Sequence, residues 1–209
     1  AELTAFQIVV YYNFAFSLVL SGPWLAVATR HLSDLVYTRR IGEAMGLLFG
    51  SLTLLLVFQA IVVVPFYFAW AKLDLAMRLL ACINFLVVSA LWLAHVFLAT
   101  LHNDRKVAIS FVAGLALGLV AAVVLGRDHG APGMLAGFTA GLALVLFALF
   151  GRIFAEYPRT IVRPWAFLVY FRTHWRLAVG GLVYNAAIWV DKWLMWGAPE
   201  GTRQPCGLV

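Results

Sequence analysis

MGLLFGSLTLLLVFQAIVVVPFYFAWA, residues Met45–Ala71, runs without one charged side chain and holds a single amide, Gln59. A helix rises about 1.5 Å per residue, so about 20 apolar residues cross a hydrocarbon core about 30 Å thick. This stretch is long enough to do so and far too long for one strand. Five further stretches match it in kind: Thr4–Ala28, Leu75–Ala99, Val107–Gly126, Gly133–Gly151 and Leu177–Trp196. Strand-sized segments of alternating polarity are absent from the sequence, which argues against an outer-membrane barrel. The expected fold class is all-α integral membrane, a polytopic bundle with six transmembrane helices.

Composition agrees, at 64% hydrophobic and 11% charged, against about 45–50% and about 25% for soluble domains. A net charge of +6 could suit nucleic acid, but its distribution suits a lipid bilayer instead. Ten of the lysines and arginines fall in the first, third and fifth connections: Arg30, Arg39, Arg40, Arg105, Lys106, Arg152, Arg159, Arg163, Arg172 and Arg176. The other connections and the distal end hold five, namely Lys72, Arg78, Arg127, Lys192 and Arg203. Lysine and arginine accumulate on the cytoplasmic side, so the odd connections are expected there. The first visible span then starts outside, and a protein that begins in the cytoplasm would have an odd number of further spans upstream, most simply one. Thr4–Ala28 is too long for a signal-peptide core and lacks a basic segment before it. The reading is therefore a piece of a longer chain. Cys82 and Cys206 suggest no disulfide framework.

Small residues recur at a spacing of four. Gly42, Gly46 and Gly50 form one such ridge, Gly133, Gly137 and Gly141 a second, and Ser110, Gly114, Gly118 and Ala122 a third. Such ridges let helix backbones approach where lipid supplies no hydrophobic drive for association. They predict close packing and say nothing about substrate.

Polar residues inside spans are costly and face a cavity or a neighbouring helix. Asn13, Ser17 and Ser21 follow one face, and Ser21-Gly22-Pro23 should kink or break the first span, because Pro23 cannot donate to Val19. Such breaks occur at transport sites, although a purely structural kink is the alternative. Pro65 should bend the second span near Gln59. In the third span Asn84, Val88, Leu91, His95 and His102 share a face by helical spacing. The two histidines lack a third ligand at metal-binding spacing, so no metal site is expected.

The last span, GGLVYNAAIWVDKWLMW, carries the sharpest feature. Asp191 lies fourteen residues beyond Leu177, about 21 Å along a helix at about 1.5 Å per residue, within the outer third of a membrane. Tyr184, Ile188 and Asp191 share one face, with Asn185, Trp189 and Lys192 on the next. Adjacent residues point about 100° apart, so Asp191 and Lys192 are not expected to pair well. The alternative is a shorter span whose tryptophans form an interfacial belt with wet charges beyond it. The connection before this span, residues 152–176, places Pro164 as a first helical residue. Phe167, Tyr170, Phe171 and His174 follow at helical spacing. Aromatics mixed with arginines suit a helix in the headgroup plane; the other reading is a solvated linker.

Three segments carry a family resemblance: YNFAFSLVLSGP at Tyr12–Pro23, RHLSDLVY at Arg30–Tyr37 and YNAAIWVDKW at Tyr184–Trp193. They resemble the bacterial Pel exopolysaccharide exporter family, PelG, of the flippase superfamily that includes multidrug extruders and lipid-linked oligosaccharide flippases. The resemblance extends from the first span to about Gly201. It implies a protein about twice as long, built of two helical lobes, in which the visible spans are the second through the seventh. By it, residues 1–151 are five helices of the N-terminal lobe, 152–176 a cytoplasmic interfacial connecting helix, and 177–209 the first helix of the second lobe with a tail. The ending Arg203–Val209 departs from the family pattern.

The function so implied is a multi-pass transporter of the bacterial inner membrane that moves a Pel-type amino-sugar polysaccharide outward. The partners so implied are a cytoplasmic glycosyltransferase and membrane proteins of the same biosynthetic complex. No nucleophile elbow, phosphate loop or ligand set suggests an enzyme or a cofactor. The translocation candidates are Asn13, Ser17, Pro23, Asn84, Tyr184, Asn185, Trp189, Asp191 and Lys192. Two other readings stay open: an ion-coupled flippase of lipid-linked oligosaccharide or another amphiphile, and a non-transporting scaffold of a polysaccharide synthase complex. A cationic cavity would favour anionic pyrophosphate lipids. Acids and aromatics would favour an amino-sugar chain.

Overall fold

The computed structural model describes residues 2–100, 104–158 and 160–197, and among these every regular element is helical. His102, Arg159 and everything from residue 198 onward, including Cys206, lie outside the described residues. Helix α1 spans Glu2–Tyr37, α2 Ala44–Pro65, α3 Leu75–Ala99, α4 Asp104–Glu156, α5 Ala166–Thr173 and α6 Trp175–Gly197. Four stretches are long and apolar enough to cross a membrane: Glu2–Tyr37, Ile41–Trp70, Leu75–Ala99 and Ala108–Glu156. The sequence led to an expectation of six. Two of those six are the arms of α4, and α6 is diluted by Asn185, Asp191 and Lys192 and falls outside the four.

Helix α1 has 36 residues, about 54 Å at about 1.5 Å per residue, and so outruns a hydrocarbon core. The expected break at Pro23 is not present, and the helix is continuous through it. Proline deletes one backbone donor. The two serines just before it stay tied in: Gln59 donates to Ser21 Oγ at 2.9 Å and Ser17 bonds within α1. The helix also continues past Ala28, because Leu32 and Leu35 are buried while Arg30 pairs with Asp34 at 3.3 Å on the polar face. It ends in a Schellman motif, with Arg40 N–H donating to Leu35 at 2.8 Å and Arg39 N–H to Val36 at 3.1 Å. Arg39 takes the left-handed position usually given to glycine, at φ 57°.

At Pro65 the second span does change character. Ile61 loses its donor there, and a π-turn, Phe66–Trp70, follows. This wider turn aims Tyr67 into the interior, where it is 1% exposed. Asp74 then caps α3 by accepting from Ala76 N–H at 3.2 Å.

Helix α4 is a hairpin, its chain reversing at Gly130 with φ 62° and ψ −142°. That conformation needs glycine, and Pro132 sits in the first turn of the returning arm, where its missing N–H has no partner to lose. The arms, residues 104–129 and 131–156, mesh glycine against glycine. A Cβ on Gly118 would lie 2.9 Å from Gly141 Cα, and one on Gly141 would lie 2.8 Å from Gly114 O. Gly137 sits against the backbone of Ala121 and Ala122, and Gly133 against Leu125 O. The remaining ridge behaves differently. Gly46 and Gly50 press on the carbonyls of Val162 and Pro164, in the connecting segment and not on another span. A Cβ on Gly42 would meet nothing within 4 Å, because the residue sits in a 3-10 turn, Ile41–Glu43, before α2 begins.

The connection is also shorter than expected. Residues 152–156 finish α4, and α5 starts at Ala166, two residues after Pro164. Arg163, before the proline, is kept out of the right-handed helical region and takes φ 47°. Helix α5 anchors through Phe167, fully buried, and Trp24 of α1 lies 4.9 Å from the Phe171 ring. The C-terminal end of α3 and the connections after α1 and α4 meet at one end of the bundle. There Tyr157 donates to Phe97 O at 3.0 Å and Thr160 to Gly42 O at 3.4 Å.

Substituting Gly141 with valine should spring the α4 hairpin apart. Overpacking a close contact costs about 1–3 kcal/mol, so the melting temperature in detergent should fall clearly, while Gly42→Ala should leave it unchanged.

Candidate functional site

Asn13 sits at the centre of a polar network inside the bundle. Its amide nitrogen donates to Ala81 O at 3.0 Å and to Asn84 Oδ1 at 2.9 Å. Its oxygen accepts from the Tyr67 hydroxyl at 2.6 Å. Asn84 passes the chain on, donating to Thr139 Oγ1 at 3.0 Å. One helical turn along α1, Ser17 Oγ accepts from Trp92 Nε1 at 3.3 Å. Asn13, Ser17, Ser21, Gln59 and Asn84 are all buried. The network therefore links α1, the π-turn, α3 and the second arm of α4. In a low-dielectric interior such bonds are strong, and leaving one unmade is costly.

The structure thus brings Asn13, Ser17 and Asn84 together and bonds them into helix contacts. His95, expected on the same face as Asn84, is exposed. Tyr67, Thr139 and Trp92 complete the network and went unrecognised in the sequence. The only signal was Pro65 two residues before Tyr67.

The second group of candidates lies where α6 crosses α1. The two backbones meet at glycines: a Cβ on Gly22 would lie 2.6 Å from Gly181 O, and one on Gly181 would lie 2.5 Å from Gly22 O. Asn185 Nδ2 donates back to Gly181 O at 2.9 Å beside this crossing. Further along, Tyr12, Phe16 and Trp193 form a stacked run, with ring centroids 5.7 Å and 5.6 Å apart. The indole nitrogens of Trp189 and Trp193 are buried without a hydrogen-bond partner among the described residues. Tyr184, Asp191 and Lys192 are exposed and Pro23 is half-buried. Asp191 and Lys192, expected to point apart, do pair at 3.4 Å. The long lysine stem swings back, and its ammonium also lies 5.3 Å from the Trp189 ring centroid.

A third cluster stands at the end where the odd connections meet. The Tyr170 ring stacks between His31 and His174 at 4.1 Å on each side. Its hydroxyl donates to Asp34. Burial, with Asp34 beside it, pushes the Tyr170 phenol above its ordinary range, so it stays a donor at neutral pH. Arg40 pairs with Glu43 through Nε at 3.0 Å.

A family model described as "PelG: Putative exopolysaccharide Exporter (EPS-E)" matches residues 1–208. Neither the curated proteins nor the solved structures contain a significant match. Apolar helices and this match together point to a membrane location.

The polar network predicts coupling between its members. Asn13→Ala and Tyr67→Phe should each destabilise the bundle, and a double-mutant cycle should give a coupling of about 0.6 kcal/mol, the average for interhelical bonds in membranes, and at most about 1.7 kcal/mol. Equilibrium unfolding in mixed micelles measures it.

Proposed function

The chain belongs to the PelG exopolysaccharide exporter family, and from that premise we propose that it is the helix-bundle part of an inner-membrane exporter of an amino-sugar polysaccharide. Its role is transport, not catalysis. Residues 2–156 act as one flippase-like lobe, α5 as the cytoplasmic connection and α6 as the first helix of a second lobe. A cytoplasmic glycosyltransferase and membrane proteins of the same biosynthetic complex hand the polymer to it.

The observation that carries this reading is the α1–α6 seam. Tyr12, Phe16 and Trp193 stack along it, two indole N–H groups lack acceptors, and Asp191 stands exposed beside them. Sugar rings bring apolar faces to stack on aromatics and hydroxyls to accept from indole N–H groups. A carboxylate near the end of the seam suits a cationic amino sugar in passage. The seam has acid and aromatics, the lining that favours an amino-sugar chain over a pyrophosphate lipid.

The scaffold reading draws support from Asn13 and Asn84, both bonded into helix contacts. Asp191 does not share that fate, and it separates the two readings. In the intact exporter, Asp191→Asn keeps the shape and removes the charge. Secreted polymer should fall severalfold at unchanged membrane abundance. Export at the native level would rule out a transport role for the carboxylate.

A further inference from the structure

A cavity of about 410 Å³ lies between the end of α1, the turn before α2 and the inner side of α5. That volume falls in the range of about 300–1,000 Å³ typical of small-ligand sites. Its polar lining consists of His31, Arg40, Glu43, Arg163, Tyr170 and His174 among others. Three of these six groups already have partners: Arg40 is held by Glu43, and Tyr170 donates to Asp34. Three do not spend their full capacity inside the protein. The Arg163 guanidinium has no acidic partner among the described residues, His31 Nδ1 is buried without a hydrogen bond, and His174 uses only Nδ1, toward Tyr170 O at 3.1 Å.

These leftover groups are a guanidinium and two imidazoles around one space, with no unpaired carboxylate in the lining to balance them. Arg163 is held there by a left-handed backbone, φ 47°, which a non-glycine residue adopts only when its surroundings enforce it. A forked guanidinium flanked by imidazoles matches an anion that accepts from several directions, as a tetrahedral phosphate does. One rim of the cavity is apolar. Val169, one of its lining residues, is exposed, as are Leu168 beside it on α5 and Trp165 just before that helix, and these suit contact with acyl chains.

We propose that this cavity is a phosphate-binding site at the basic end of the bundle, with Arg163 and His174 as its principal donors and His31 as a third. The occupant is a phosphate group, borne either by a lipid headgroup or by a soluble phosphate compound. The site is separate from the α1–α6 seam, and its existence does not depend on what that seam transports.

The test uses the full chain purified in maltoside micelles, which contain no phosphate. Inorganic pyrophosphate is titrated in one series and dihexanoyl phosphatidylglycerol in another, with melting temperature as the readout. At least one should raise the melting temperature. Arg163→Gln should shift the midpoint of that titration at least about tenfold, as losing a charge-assisted contact does. Arg172→Gln, on α5 but outside the cavity, should leave it unchanged. A response to pyrophosphate assigns a soluble ligand, and a response to the lipid alone assigns a headgroup. If Arg163→Gln does not fold, His174→Gln should show the same loss. Absence of any response, or an equal response in the cavity and control variants, overturns the proposal.

Discussion

One asparagine side chain in the first half of α1 bonds three groups on two other elements at once. Asn13 reaches the backbone of α3 at Ala81, the amide of Asn84 and the phenol of Tyr67 on the π-turn. Inside hydrocarbon no water is present to replace a missing partner, so each polar group must find one within the protein. That requirement fixes how α1, α3 and the π-turn are placed relative to each other. It also explains the π-turn, because Tyr67 must leave the ordinary helical register after Pro65 to reach Asn13. Apolar burial alone could not set these relations, since lipid tails are as apolar as the leucines they face.

Around this lock the two ends of the bundle differ. One end holds the sharp Gly130 turn, the Asp74 cap and the start of α1. The other carries Arg30, Arg39, Arg40, Arg152, Arg163, Arg172 and Arg176, tied together through Tyr157, Thr160 and Tyr170. The proposed export of a polymer made in the cytoplasm would use such an asymmetry: a charged end toward the proposed partners and headgroups, and an apolar helix bundle above it. Helix α6 adds the second requirement. It is tied to α1 by bare backbone at Gly22 and Gly181, which keeps the two helices close while leaving Tyr184 and Asp191 facing outward.

Much of this was legible in the residues and part of it was not. Leu75–Ala99 was readable to the residue, because Asp74 caps it and the apolar run ends with it. The polar stretch Arg30–Tyr37 looked like a loop, yet Leu32 and Leu35, spaced three apart, bury themselves and carry α1 onward. Residues 127–130 looked like a connection, yet they stay helical up to a single glycine hinge. Asn13 and Asn84 stood out as costly residues in apolar spans, but their shared partners, Tyr67 and Thr139, are set by tertiary register that spacing along one helix cannot reveal. Pro23 looked like a break because a missing donor is visible in sequence, whereas the bonds that brace its neighbours come from α2. Lys192 looked badly aimed because helical angles were considered without the reach of its stem.

The placement of the basic end on the cytoplasmic face is the claim on which export direction rests. Single cysteines at positions 39, 163 and 128, introduced into the intact protein after its native cysteines, Cys82 and Cys206 included, are changed to serine, can be probed in whole cells with a membrane-impermeant maleimide. Positions 39 and 163 should react only after the membrane is permeabilised, and position 128 should react without permeabilisation. Labelling of positions 39 and 163 from opposite sides, or of both from outside, would contradict the account.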